Sequence, residues 1–279
     1  MNSSGTKTPA DDEVLRFTFR PRLQHPSFIV GWASDPGGVS RLVAQYLVKA
    51  SNSRSFCQIE PAGFYSLSGV TVNDDVAQFP QGRFFCNETG DVMVLQADEP
   101  QSHKYEFLSA VLDLAERYAN AQALYTINGI TSLTPHTAVR GVSAFFNDAG
   151  LWRRLRQFVP ANMDWQGPPD TSTYLSWLAG KRGLPGASLW VEVPFYLSGH
   201  EDFQSAEAVL SLLAMMLGRD LELRELDQLV ADQNEKLAHL QDDPEIEEKI
   251  RTLEEGESLD RQEQLELIEA VDSALKGTA

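Results

Sequence analysis

Ser27-Phe28-Ile29-Val30-Gly31-Trp32-Ala33, followed by Ser34-Asp35-Pro36-Gly37-Gly38, is the stretch that decides the fold. The first part is almost continuously apolar, the pattern of a strand buried on both faces. Proline and two glycines break the run. Leu42, Val43, Tyr46 and Leu47 then recur at helical spacing. The same alternation continues outward from this unit. Strands are predicted at 83–88 and 91–96 around Thr89-Gly90, and a helix at 103–120 with Phe107, Val111, Leu114 and Tyr118 on one stripe. A strand at 123–127 is read as closed by a turn at Asn128-Gly129. A further strand at 141–146, helices at 151–158 and 171–180, a strongly apolar strand at 189–195 and a helix at 203–217 complete the series, with Asp202 placed to cap the last. Strands alternating with helices predict an α/β class fold around a mostly parallel sheet. In such sheets ligands meet the loops beyond the carboxyl ends of the strands, here 34–38, 128–140 and 196–202.

Composition bounds the function. The chain has 279 residues, 42% hydrophobic and 23% charged, a globular balance long enough for a large core. It carries 23 basic and 40 acidic side chains, a net charge of −17. Nucleic acid is excluded as a partner on this ground, because a duplex binder needs a basic face to displace counterions. An anionic membrane surface is disfavoured likewise. No apolar run reaches the ~20 residues that span a bilayer, and the best stretch, 206–217, contains Glu207. Residues 1–13 are polar and lack the apolar segment of a signal peptide, so a disordered N-terminal tail and a cytoplasmic location are expected. Cys57 and Cys86, in apolar strand-like runs, are expected to be reduced core residues.

The acids concentrate at one end. From Arg219 onward the last 61 residues hold 19 acids and 7 bases. A core domain at 14–220 and an acidic helical region at 221–279 follow from this shift. Leu223, Leu226, Val230, Leu237 and Leu240 make a heptad-like seam, which Asp242-Asp243-Pro244 ends. A second helix is expected to hold Ile246, Ile250 and Leu253, and a third, with Ser258 as its cap, Leu265, Ile268, Val271 and Leu275.

Standard catalytic motifs are absent: no phosphate-cradling loop, no dinucleotide fingerprint, no nucleophile elbow. The five histidines show no metal-ligand spacing, so neither metal nor cofactor is expected. What remains is a set of loop residues. Asp35, Gly37 and Gly38 sit at a helix start, where glycine N–H groups could meet an anion or where the chain simply needs a left-handed turn. Asn128 stands at a strand end. His136 and Arg140 could bind a carboxylate or phosphate, or tie one loop to a neighbour. Tyr196 and His200 lie on a strand exit. No pair here has the spacing of a named acid–base mechanism. The residues thus leave two readings: a non-catalytic protein-binding scaffold, or a binder or enzyme for a nucleotide or phosphate-containing ligand at the strand ends.

A family resemblance enters at the same positions. Gly31-Trp32-Ala33-Ser34-Asp35-Pro36-Gly37-Gly38 resembles the Gly-Trp-x-Asp-Ala-Gly opening of the proteasome assembly chaperone 2 family, in its bacterial and archaeal branch, with Pro36 in place of the alanine. Asp91-Val92-Met93-Val94-Leu95 with Glu99-Pro100, Asn128-Gly129, Pro135-His136-Thr137, Gly167-Pro168, Gly183-Leu184-Pro185, Leu189-Trp190 and Pro194-Phe195-Tyr196 follow in the family's order, over about residues 14–240. The family's Pro-His-Thr-Arg-Pro is Pro-His-Thr-Ala-Val here, with Arg140 three residues after Thr137. The resemblance implies a three-layer α/β/α sandwich similar to nucleoside phosphorylases. It also implies homo-oligomers, trimers included, and a chaperone role toward a protein client such as a proteasome-like ring. Some members are described as ATP-grasp carboligases, but no ATP-grasp lysine and acidic metal pair is recognisable in this sequence. Ring-binding relatives dock through a C-terminal tail with tyrosine. Leu275-Lys276-Gly277-Thr278-Ala279 has none, so that route is not expected.

Overall fold

The computed structural model describes residues 14–65, 71–73, 76–159, 161–162 and 166–276. The expectation of a disordered tail at 1–13 lies outside them. Eleven strands and eight helices follow in chain order among the described residues: β1 (Leu15–Phe17), β2 (Ser27–Trp32), α1 (Val39–Ala50), β3 (Arg54–Ile59), β4 (Thr71–Asn73), β5 (Val76–Gln78), β6 (Gly82–Cys86), β7 (Val92–Ala97), α2 (Lys104–Asp113), β8 (Ala123–Ser132), β9 (Val142–Phe146), α3 (Ala149–Leu155), β10 (Ala161–Asn162), α4 (Thr171–Arg182), β11 (Gly186–Pro194), α5 (Phe203–Leu217), α6 (Arg224–Ala238), α7 (Pro244–Glu254) and α8 (Arg261–Lys276). Nine strands form one sheet in the order β1-β3-β6-β7-β2-β8-β11-β9-β10, while β4 and β5 pair separately. Its centre, β7-β2-β8-β11, is parallel. β1, β3 and β6 on one flank and β9 on the other join it antiparallel. The α/β fold read from the sequence is therefore present, with antiparallel margins.

Side-chain alternation along β2 divides the core. Phe28, Val30 and Trp32 face a layer closed by α2 and α4, through Phe107, Val111, Leu175 and Leu178. Ile29 faces the opposite layer, with Leu42 and Val43 of α1, Val209 and Leu213 of α5, and the C-terminal helices. A strand buried on both sides in this way requires the unbroken apolar run seen at 27–33. Cys57 and Cys86 are both buried and free, as expected.

The helix ends follow ordinary capping rules. Asp170 accepts the Thr173 N–H at 2.6 Å at the start of α4, and Gly183 ends that helix at φ +82°. Asp202 caps α5, as expected, by accepting the Ser205 N–H. Asp243 precedes Pro244 at the start of α7. The cap of α8 is Asp260 and not Ser258: its Oδ1 accepts the Gln262 and Glu263 N–H groups at 2.8 and 2.9 Å. Aspartate three residues before Glu263 makes the reciprocal box, since Glu263 accepts the Asp260 N–H at 2.7 Å. Leu226, Leu237, Leu240, Ile250, Leu253, Leu267 and Val271 of the C-terminal helices are buried in the same cluster as the sheet, so this acidic region packs on the body. Among the described residues no helix is long and apolar enough to cross a membrane.

The turn expected at Asn128-Gly129 is not there. β8 runs straight through it to Ser132. Gly129 serves close approach instead: a Cβ at this position would lie 2.1 Å from the Pro36 carbonyl oxygen. The loop after β2 is thus pressed backbone to backbone onto β8. Gly129→Ala must push two main chains apart, and an expected loss of about 3 kcal/mol or more is readable by urea unfolding. Gly199→Ala, where the added Cβ meets nothing within 4 Å, is the control and changes stability by less than about 0.5 kcal/mol.

Candidate functional site

β2, β7, β8 and β11 all end on one side of the molecule, and the loops that follow them meet there. Asp35 stands at the entry to α1. Its Oδ2 accepts the Gly129 N–H at 2.7 Å, and both its oxygens lie 3.0–3.1 Å from the Ser40 N–H. Burial pushes its carboxyl up to about 6, against the pull of those N–H groups. Gly37 and Gly38 adopt φ +71° and +57°, the left-handed conformations that glycine tolerates. Their N–H groups are directed inward: Gly37 donates to Ser198 O at 3.2 Å and Gly38 to Asp35 O at 3.0 Å.

A second group locks onto the first. The Asp202 N–H donates to Gly37 O at 2.9 Å. The Asp202 carboxylate, fully buried, accepts the Arg140 Nε at 3.1 Å and the Ser205 hydroxyl at 2.6 Å. Arg140, also buried, spends its Nη1 donors on the carbonyls of Pro135, His136 and Ala138 at 3.2, 3.3 and 3.1 Å. The Tyr196 hydroxyl accepts the His136 backbone N–H at 2.6 Å and lies 2.9 Å from His136 Nδ1. The imidazole tautomer sets which of the two, the hydroxyl or Nδ1, is the donor in this contact. Burial, with the Arg140 charge second, pushes the imidazole down to about 4, so His136 is neutral at pH 7. Burial raises the Tyr196 hydroxyl well above its ordinary range.

The remaining candidates point elsewhere. Asn128 turns to the opposite layer: its Nδ2 donates to Asp170 Oδ2 at 2.9 Å and its Oδ1 accepts the Ser172 hydroxyl at 2.9 Å. Ser172 Oγ in turn accepts the Trp32 indole N–H at 2.9 Å. His200 Nε2 lies 2.5 Å from Asp272 Oδ1 of α8, and the Thr137 hydroxyl donates to Glu254 Oε1 of α7 at 2.5 Å. Of the eight sequence candidates, Asp35, Gly37, Gly38, His136, Arg140 and Tyr196 come together in one bonded network, and Asn128 and His200 do not join it. Sequence reading missed Asp170, Ser172 and Ser205 as partners, and it saw Asp202 only as a cap. A buried arginine in need of a counter-charge is the signal that would have paired Asp202 with Arg140.

A cavity of about 280 Å³ opens beside this network, at the ends of β2 and β7. Trp32, Arg41, Gln45, Arg83, Gln96 and Asp98 are among its lining residues, and none of the eight candidates is. Arg41 is held by Glu201 at 2.7 Å, and Asp98 accepts the Gln81 N–H at 2.9 Å. Among the described residues no cluster of three or more His, Cys, Asp or Glu side chains could hold a metal ion. Chemically the network fastens three loops to α1 and α5. Within it the Tyr196 hydroxyl and His136 Nδ1 are buried against each other.

Two tests follow. Arg140→Ala leaves the Asp202 carboxylate buried without its counter-charge, and an expected cost of about 3–5 kcal/mol is measurable by denaturant unfolding. The second uses pH. Asp35 binds its proton more tightly folded than unfolded, so its contribution to stability falls as pH rises from about 4 to about 6. His136 binds its proton less tightly folded, so its contribution is lost as pH falls from about 6.5 to about 4. The two oppose each other in the wild type. Asp35→Asn leaves the histidine alone, and its melting temperature should drop more steeply on acidification. His136→Gln leaves the aspartate and should shift the opposite way. Each is expected to be worth about 2 kcal/mol across the window, readable in thermal melts at stepped pH.

No match was found among curated proteins. Solved structures do resemble this one. A Mycobacterium tuberculosis protein of unknown function shares 21% identity at a TM-score of 0.76, over 92% of this chain and 91% of that one. PbaB of Pyrococcus furiosus, an archaeal proteasome activator, shares 20% identity at a TM-score of 0.68, over 81% and 98%. A proteasome-assembly chaperone homologue of Mycobacterium tuberculosis shares 19% identity at a TM-score of 0.68, over 80% and 99%. At these identities the likeness is one of fold. The sequence itself matches the PAC2 family over residues 28–241, most of its length, and the chain belongs to that family.

Proposed function

We propose that this protein is a non-catalytic, chaperone-like scaffold that acts in the cytoplasm as a homo-oligomer, with a trimer favoured, and grips a protein client. The observation that carries the reading is how the polar groups at the strand ends are used. His136, Arg140, Tyr196 and Asp202 bond to one another and to main chain, and the loop they fix exposes apolar side chains: Val139 is 89% and Leu133 47% exposed. Rigid loops that hold apolar side chains in water suit the gripping of another protein. Family membership supports the same direction, as do two structural neighbours described as a proteasome activator and a proteasome-assembly chaperone homologue. A proteasome-like ring is therefore the client class proposed. In this reading residues 14–220 form the core, 221–279 supply an acidic helical surface, and Asp35, Gly37, Gly38, Asn128, His136, Arg140, Tyr196 and His200 shape the loops rather than hold a ligand.

The test is the mass of the purified full chain by light scattering, alone and mixed with purified proteasome ring subunits. An oligomer of the 31.0 kDa chain that forms a complex is expected. Leu133→Asp/Val139→Asp should weaken that complex more than about tenfold, as loss of a central apolar contact does. A strict monomer that forms no complex sinks the proposal.

A further inference from the structure

Basic side chains are scarce in this protein, and about half of those among the described residues form ion pairs. Arg16 meets Glu60, Arg41 Glu201, Lys49 Glu225, Arg182 Asp113, Arg219 Asp91 and Lys276 Asp272. Helix α3 departs from this economy. Arg153, Arg154 and Arg156 are all exposed, and none has an ion-pair partner among the described residues. These three guanidinium groups, within four residues, form a positive island on a molecule of net charge −17. The island borders a groove of about 570 Å³ lined by Phe145 and Phe146 of β9 and by Trp152. Trp152 is 41% exposed, and the Arg156 guanidinium lies 4.9 Å from its ring centroid. The acid in that groove, Asp148, has its Oδ1 engaged as the cap of α3, accepting the Leu151 N–H at 2.7 Å. An apolar groove beside arginines, one of them stacked on an aromatic ring, has the make-up of an interface anchor for an acidic surface.

The chain carries such a surface elsewhere. The 61 residues from Arg219 hold 12 more acids than bases. Around the α7–α8 junction Glu255, Glu257 and Glu269 are exposed, and so is the apolar Leu265, at 53%. We propose that the α3 arginines and the Trp152 groove of one copy receive the acidic α7–α8 region of a second copy. This inference rests on the homo-oligomer reading above and names the contact through which that oligomer forms. The two surfaces differ, so the contact is heterologous and joins copies head to tail, closing into a ring where the rotation permits. The contact is charge-driven at its rim, so salt weakens it.

The experiment is light-scattering mass on the full chain at about 0.05 M and about 0.5 M salt. The wild type should be oligomeric at low salt and lose mass at high salt. Arg153→Glu/Arg154→Glu/Arg156→Glu should be monomeric at low salt and still folded by circular dichroism, since all three side chains are exposed. Glu255→Lys/Glu257→Lys/Glu269→Lys should be monomeric likewise. Mixing the two variants should give complexes heavier than the monomer, because the intact arginine face of one meets the intact acidic face of the other. An oligomer that survives the arginine reversal overturns this contact and leaves the homo-oligomer reading standing, with the arginines free for a different acidic partner. Variants that dissociate but do not reassemble on mixing also overturn it. A wild type that is monomeric at both salt concentrations overturns the contact and the oligomer reading together.

Discussion

A guanidinium and a carboxylate, both out of water, hold the strand-end surface together. Arg140 and Asp202 are 62 residues apart in sequence. Their side chains are 1% and 0% exposed. Burying either charge alone is unaffordable, while burying both is tolerable only if the remaining donors and acceptors are filled. Here they are. Arg140 takes three carbonyls of its own loop, and Asp202 takes the first turn of α5 and the Ser205 hydroxyl. Through the Asp202 amide the pair also fixes Gly37, and through Gly37 the entry to α1. One ion pair thereby sets the positions of the loops after β2, β8 and β11. Its value is less in net stability than in geometry, because a hydrophobic pair of equal volume would bury as well without fixing three loops in one arrangement.

The architecture was legible because its signals are local. An unbroken apolar run such as 27–33 has few uses other than a strand covered on both faces, and a stripe such as Phe107, Val111 and Leu114 has few other than a buried helix face. What was not legible depends on distant partners. Asn128-Gly129 carries the same composition as a hairpin turn. What makes it mid-strand is pairing with β11, Asn128 opposite Trp190 and Gly129 opposite Val191, while the Asp35 carboxylate 94 residues earlier takes the Gly129 N–H. Ser258 and Asp260 are both acceptable caps, and only the Glu263 carboxylate, which completes a reciprocal pair, selects the second. Among the loop residues, types were found but partners were not. His136 and Arg140 read as groups that could bind a carboxylate or phosphate, and the structure engages His136 Nδ1 and the Arg140 guanidinium internally. A single sequence distinguishes a polar group kept for a ligand from one spent on the fold only when the spacing of a known motif decides it, and no such motif is present.

Asp35 and His136 add a second consequence of the same burial. Desolvation raises an acid and lowers a base, so one physical cause moves the two groups toward each other on the pH scale, to about 6 and about 4. At neutral pH the result is an ionised carboxylate held by amides and a neutral imidazole held by a phenol. His136 Nδ1 faces the Tyr196 hydroxyl, and Asp35 faces the main chain of two other elements. Perturbed titration here follows first from burial of the two loops.

The charge pattern completes the argument. A net charge of −17 spread evenly would make copies of this chain repel one another at every approach. It is not spread evenly. The acids crowd onto α6, α7 and α8, which lie over the layer shared by α1 and α5. The opposite layer, closed by α2 and α4, carries Lys181 against Trp177 and Arg182 between Asp113 and Glu116. Arginines without an ion-pair partner among the described residues gather at α3, at the β9 margin of the sheet. A molecule polarised in this way admits a neighbour in few orientations, since like faces repel and only acid against base attracts. The asymmetry of charge thus selects orientation before any apolar contact forms.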